Sequence, residues 1–225
     1  MKINPFRWSI FFGVLMLVTS IVLLIFNPKP QNNLPEGFHT PIIAFEFIKT
    51  HQEVKHFFQV DDLNTYMYKF DMVNRIDFIF MVCYSLFLAS MAWTFYKITK
   101  FWPMLIAAFL SLLAWPADAL ENIQIAKIAE HYHNGDIQDY LHYLNIFTWL
   151  KWGALAGTFL IMSNYFYKKG VFNIFTAIIT TTTFILAMVA FFQRSFINEL
   201  MSTFVVLSFL MLFIYALFYK KLEKA

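Results

Sequence analysis

The chain has 225 residues, of which 60% are hydrophobic and only 14% charged, with 29 Phe and a formal net charge of +3. A soluble domain carries about 25% charged residues, so this composition excludes a water-soluble globular fold and makes lipid the main solvent of the chain. The single cysteine, Cys83, excludes an internal disulfide and falls inside an apolar run, where a buried thiol is inert.

Six segments are long and apolar enough to cross a hydrocarbon core of roughly 30 Å: residues 8–26, 76–96, 101–120, 141–162, 171–192 and 200–219. The first has an apolar run longer than that of a secretory signal and no small-residue cleavage site after it, which predicts an uncleaved anchor. The segment 27–75 that follows is too long for a structureless loop. It opens with Pro28, Pro30 and Pro35 among asparagines and Gly37, a linker leaving the bilayer. From Pro41 the pattern changes, and 42–60 mixes Ile43, Phe47, Ile48, Val54 and Phe58 with Glu46, Lys49, His51, Glu53, Lys55 and His56. This predicts a single amphipathic helix resting on the outer face of the membrane or capping the bundle. Asp61 and Asp62 then suit the cap of a further helix that runs through Tyr66 and Phe70 into the second span.

At the outer end of that span come Asn74, Arg75 and Asp77, followed on the Asp77 face by Phe80, Met81 and Tyr84. Spans 2 and 3 are joined by about four residues, so they are antiparallel neighbours. Span 3 ends in Trp115-Pro116-Ala117-Asp118-Ala119-Leu120-Glu121-Asn122, where Asp118, Glu121 and Asn122 share one helix face. Pro116 lacks an amide hydrogen and crowds the Leu112 carbonyl, which favours a kink just before the acidic turn. The next outer loop holds His131, His133 and an Asn-Gly turn, with His142 beyond. Span 4 carries Asn145, Thr148, Lys151 and Trp152 at helical spacing. Lys151 lies roughly 15 Å along that span at 1.5 Å per residue, within snorkelling reach of the carboxylates. In span 5 the Thr176 and 180–183 hydroxyls can bond carbonyls one turn back, and Arg194 follows; span 6 is nearly featureless and is expected to face lipid or a second subunit.

Lys and Arg concentrate in short cytoplasmic loops. Lys2, Arg7, Lys97, Lys100, Lys168, Lys169, Lys220, Lys221 and Lys224 put 9 of the 17 basic residues on one side with one acid, Glu223. Both termini are therefore expected in the cytoplasm, with the chain in the plasma membrane of a bacterium. The expected architecture is an all-α polytopic membrane helix bundle, six transmembrane helices plus an extracytoplasmic amphipathic helix. It forms one integral membrane domain over 1–225 with 27–75 as a helical insertion.

Charged groups at membrane depth are costly unless paired, and so mark functional or structurally essential sites. The candidate ligand-binding set is Asp77, Tyr84, Asp118, Glu121, Asn122 and Lys151, with Arg194 at the rim. Three acids against one buried base leave room for an outer arginine, a retained proton or a cationic ligand. The same set also reads as an ion-pair network that only holds helix register. His131, His133 and His142 are the nearest approach to a zinc set, which needs three converging ligands; exposed loop histidines are the preferred reading and no metal is assigned. No Gly-rich nucleotide loop, GxSxG, HExxH or internal repeat occurs, and no cofactor is implied.

At Asp77 to Tyr84 and at Asp118-Ala119-Leu120-Glu121-Asn122 the sequence resembles a broad group of uncharacterised prokaryotic multi-pass membrane proteins. In them an Asp opens one span ahead of aromatics and a Tyr, and a D-x-x-E-N turn closes the next. The resemblance covers about the middle third of the chain and implies a shared polar site with no known activity.

Three functions remain open. One is binding of a small molecule or lipid headgroup at an extracytoplasmic polar site, with or without transport. The second is a membrane enzyme using Glu121 or Asp118 as general acid or base, its catalytic residues otherwise unknown. The third is a structural or assembly partner docking through 42–60. The partners expected are the lipid bilayer and such a ligand, with no nucleic acid.

Overall fold

The computed structural model describes residues 4–29, 34–133, 135–167 and 170–222. Lys2, Lys168, Lys169, Glu223 and Lys224, which contribute to the charge asymmetry, and Asn134 of the Asn-Gly turn lie outside the described residues. Within them the chain forms eight helices: α1 (Arg7–Phe26), α2 (Pro41–Glu46), α3 (His51–Phe57), α4 (Leu63–Thr99), α5 (Pro103–His131), α6 (Gln138–Phe166), α7 (Val171–Phe192) and α8 (Phe196–Leu222). All but α2 and α3 are long and apolar enough to cross a membrane. The fold is an all-α, multi-pass helical bundle.

Each long helix packs on the next in sequence, α1 on α4, α4 on α5, α5 on α6, α6 on α7 and α7 on α8, and α8 returns to α1 to close a ring. Among the described residues the closure is tight at the end of the bundle where α1 begins and α8 ends. There Asn4 Nδ2 donates to the Ala216 carbonyl at 2.9 Å. Phe6 sits among Phe95, Tyr215 and Tyr219 with ring centroids 5.0–5.7 Å apart. A Cβ at Gly13 would collide with the Phe213 ring, so the missing side chain is what lets α1 approach α8.

The helix expected from Asp62 is α4, 37 residues without a break, with Thr65 N donating to the Asp62 carboxylate at 3.1 Å. At 1.5 Å per residue it is about 55 Å long, far more than a bilayer core needs. Its first turns therefore stand beyond the apolar span and form one wall for the insertion. Lys100, in the left-handed conformation at φ 59°, ends α4 and turns the chain into α5.

The segment 42–60 differs from the single amphipathic helix its pattern suggests. It is two short helices with a break between Phe47 and Thr50. Thr50 makes a capping box with Glu53, its hydroxyl accepting from the Glu53 amide at 3.2 Å while the Glu53 carboxylate accepts from the Thr50 amide at 3.3 Å. A second helix start therefore outcompetes continuation of the first. Ala44, Phe45, Phe47, Ile48, Val54, Phe57 and Phe58 are all buried, so the insertion is packed into the bundle rather than laid on it. Phe45 meets Phe57 at 4.8 Å and Phe70 of α4 at 4.9 Å, and Phe58 meets Tyr132 at 4.5 Å.

α8 is also more than a lipid-facing rod. Glu199 in its first turn accepts from the backbone amides of His39 and Thr40 at 2.9 and 2.8 Å and from the Thr40 hydroxyl at 2.8 Å. One buried carboxylate thus fixes the start of α2, where Pro41 occupies the first turn. Beside it Gly37, at φ +84°, lies so close to α8 that a Cβ would come 2.8 Å from the Phe196 amide nitrogen. The threonines of α7 bond carbonyls one turn back, Thr176 to Phe172, Thr180 to Thr176 and Thr183 to Ile179, and Thr183 also meets Ser208 of α8 at 2.8 Å.

Candidate functional site

α5 continues through Pro116 and brings Asp118, Glu121 and Asn122 to the inside of the ring. Facing them on α6 are Thr148, Lys151 and Trp152, also buried. The Lys151 ammonium donates to Glu121 Oε2, lies 3.3 Å from Asp118 Oδ1, and sits 5.0 Å from the Trp152 ring centre. Its remaining partner comes from outside both helices: Glu46, the last residue of α2, places Oε1 3.0 Å from Lys151 Nζ. The Trp152 indole N–H donates to Glu46 Oε2 at 2.9 Å. Glu46 looks like a surface charge in the pattern of 42–60, yet it is buried and completes the lysine's environment. The signal for it was local: Glu46 is the one acid in the apolar run from Ile42 to Ile48. Burial pushes its carboxyl above the ordinary range, against the opposing pull of Lys151.

Asp118 also accepts from Tyr84 Oη of α4 at 2.7 Å. Its other oxygen, Oδ1, is buried and accepts no hydrogen bond, the nearby ammonium lacking the geometry of one. Asp77, two turns before Tyr84 on α4, accepts from Asn122 Nδ2 at 2.8 Å. Asn122 is locked in turn by Asn74, whose amide donates to the Asn122 carbonyl at 3.1 Å. Among the described residues no ion pair reaches Asp77.

These side chains border a cavity of about 520 Å³ inside the ring, the size of many small-molecule sites. Glu46, Asp77, Tyr84, Asp118, Asn122, Lys151 and Trp152 form its polar wall. Leu23 and Leu24 of α1, Phe80 of α4, Leu155 of α6 and Val205, Val206 and Phe209 of α8 form the apolar wall. Glu121 does not line it. That carboxylate is 0% exposed, and Lys151 and Thr148 occupy its two oxygens.

Six of the seven residues singled out from the sequence, Asp77, Tyr84, Asp118, Glu121, Asn122 and Lys151, therefore converge. Arg194 does not join them: its guanidinium donates to Glu53 Oε1 of α3 at 2.7 Å and lies over the Phe38 ring. It clasps the insertion to the α7–α8 turn. Arg75 likewise turns outward, to Asp71 at 2.8 Å on the exposed face of α4. Among the described residues no three His, Cys, Asp or Glu side chains are placed to hold a metal ion. His131 Nδ1 is 2.9 Å from the Lys127 carbonyl, His133 packs on Tyr132, and His142 is exposed, so the three histidines do not converge.

No protein-family model matches the chain, and neither a curated protein nor a solved structure matches it.

Proposed function

We propose that this membrane protein binds a small molecule or a lipid headgroup in the cavity between α1, α2, α4, α5, α6 and α8. The observation that carries the reading is the division of labour among the acids. Glu121, fully enclosed and doubly bonded, braces α5 against α6 through Lys151 and Thr148. Asp77 and Asp118 instead border open space, with Asp118 Oδ1 accepting no hydrogen bond beside the Lys151 ammonium at 3.3 Å. A network built only to hold helix register would fill its interior, because voids and unsatisfied polar atoms both cost stability.

The enclosure of Glu121 weighs against its service as a general acid or base, since it borders no space where a substrate proton could approach it. The packing of 42–60 into the bundle also weighs against a free docking helix. The lysine and arginine distribution supports a bacterial inner membrane orientation with both termini in the cytoplasm, which puts the cavity in the extracytoplasmic half. Kinship with the prokaryotic group that shares the Asp-to-Tyr span and the D-x-x-E-N turn is part of the same proposal.

Native mass spectrometry of the protein released from nanodiscs tests the reading. A stoichiometric adduct is expected with the wild type and is expected to vanish in Leu23→Trp, whose indole would project into the cavity. A bare wild-type spectrum, or an adduct indifferent to Leu23→Trp, would overturn it.

A further inference from the structure

Given that the cavity binds a ligand, the reading on which this step rests, the chemistry of its walls limits what the ligand is. The grouping contains four carboxylates, Glu46, Asp77, Asp118 and Glu121, and a single ammonium, Lys151. The two outer arginines are engaged elsewhere, Arg75 with Asp71 and Arg194 with Glu53.

The donors of Lys151, Trp152, Tyr84 and Asn122 are already in use. Lys151 is surrounded by three carboxylates, the Trp152 indole N–H is given to Glu46, the Tyr84 hydroxyl to Asp118, and the Asn122 amide to Asp77. The unused capacity consists of acceptors. Among the described residues Asp118 Oδ1, on a residue only 4% exposed, accepts no hydrogen bond though the Lys151 ammonium lies 3.3 Å away, Asn27 Oδ1 just after α1 is buried without a partner, and no ion pair reaches Asp77. An anionic headgroup would have to take Lys151 away from three carboxylates. A ligand that brings positive charge and N–H donors fills what is open and reduces the charge imbalance. Phe80 and Tyr84 add aromatic rings to the wall, a surface that suits a cation, while the Trp152 ring is already beneath Lys151.

The way in follows from the seam between α1 and α8. The two helices are in contact at the end of Asn4, Phe6, Gly13, Phe213 and Tyr215, but farther along Ser20, Leu23 and Leu24 of α1, Asn27 just after it, and Ser202, Thr203 and Val206 of α8 all border the cavity. The hydroxyls on this path are satisfied within their own helices, Ser20 by the Met16 carbonyl and Ser202 and Thr203 by that of Glu199. The path therefore makes few polar demands on an apolar chain. Leu24 and Val206 are exposed on the bundle's outer surface as well as bordering the cavity.

We propose that the ligand is an amphiphilic cation, an amine or ammonium attached to an apolar chain or ring system, which enters sideways from the bilayer between α1 and α8 and sets its charge between Asp77 and Asp118. Its apolar part lies along Leu23, Leu24, Val206 and Phe209.

The test uses the full chain in nanodiscs of zwitterionic lipid, with thermal unfolding followed while dodecylamine, dodecanol or dodecanoate is added. Empty nanodiscs serve as the partitioning control. A saturable rise in Tm is expected with dodecylamine alone. Asp77→Asn, close to isosteric, is expected to weaken the response at least about tenfold, the loss of one charge-assisted contact. Thr203→Trp, which obstructs the seam without touching the acids, is expected to abolish or slow it. Equal stabilisation by dodecanol or dodecanoate, or an undiminished dodecylamine response in both variants, would overturn the cationic class. If dodecylamine has no effect while a co-purified adduct persists in native spectra, the proposal of a cation falls and the broader binding reading stands. If neither is seen, both fall.

Discussion

At the end of the bundle where α1 begins and α8 ends, Phe95 stacks on Tyr165 at 4.0 Å, Phe6, Phe166 and Tyr215 meet edge to face around them, and the Tyr215 hydroxyl donates to that of Tyr165 at 3.0 Å. At the other end four carboxylates, one ammonium and a cavity of about 520 Å³ occupy the corresponding place inside the ring. The aromatic end gains stability from close packing, which is non-specific in charge and tolerant of lipid outside. The acidic end contains empty space and incompletely matched charge, both of which lower stability unless something occupies them. Cohesion and the candidate site are thus segregated along the bundle axis.

Lys151→Met should give the largest effect, because it leaves three buried carboxylates without their common cation; orphaning one side of a buried pair costs about 3–5 kcal/mol. The double variant Lys151→Met with Glu121→Gln should recover much of that loss in chemical or thermal unfolding. A single variant as stable as the wild type would dissolve the distinction between the two ends. Phe95→Ala removes the centre of the aromatic end and should cost about 3 kcal/mol, in the usual range for a buried phenylalanine. It should leave any co-purified ligand in place, and loss of that ligand with the fold intact would show that the ends are coupled.

Tyr84→Phe is milder. It strips Asp118 Oδ2 of its donor, a hydrogen bond to a charged group worth about 1.5–2 kcal/mol, and should weaken ligand retention more than it weakens the fold. Equal retention in the two forms would place Tyr84 with the brace.

The smallest effect concerns the clasp outside the cavity. Burial tends to raise the Glu53 carboxyl, but the Arg194 guanidinium and the Lys49 and Thr50 amides outweigh it and hold the group below its ordinary value of 4.5. Its contribution is therefore present above that value and is lost as the pH falls through the lower folded value. Hydrogen-exchange protection over α3, taken relative to the intrinsic amide rate at each pH, should fall in that acid range and hold at neutral pH. Arg194→Gln should remove most of the pH dependence of that protection, and protection unchanged between neutral and acid pH would show that the clasp adds nothing.

Much of the fold was legible in the chain because lipid imposes a simple requirement: six apolar runs of sufficient length become helices that satisfy their own backbone hydrogen bonds. The start of α4 at Asp62 was equally legible, since a capping carboxylate acts on amides two or three residues away. Arg194 was misjudged because a flexible cation near several acids gives no local sign of which one it will reach. It found Glu53, 141 positions earlier, on a helix whose own start depended on the capping box at Thr50.

The sequence by itself determined that the chain is a multi-pass helical membrane protein, and that Asp77, Asp118, Glu121 and Lys151 need polar partners, because charge in an apolar span is costly wherever the span happens to pack. Only the tertiary structure decided how the carboxylates are shared. Bringing Glu46 to Lys151 requires Glu199 to fix Thr40, Pro41 to begin α2 and Phe45 to bury itself against Phe57 and Phe70. These contacts join residues far apart in the chain, and their free energy depends on geometry that no local pattern encodes. The same holds for the seam between α1 and α8, which is closed by Gly13 and Phe213 near one end and open to the cavity toward the other.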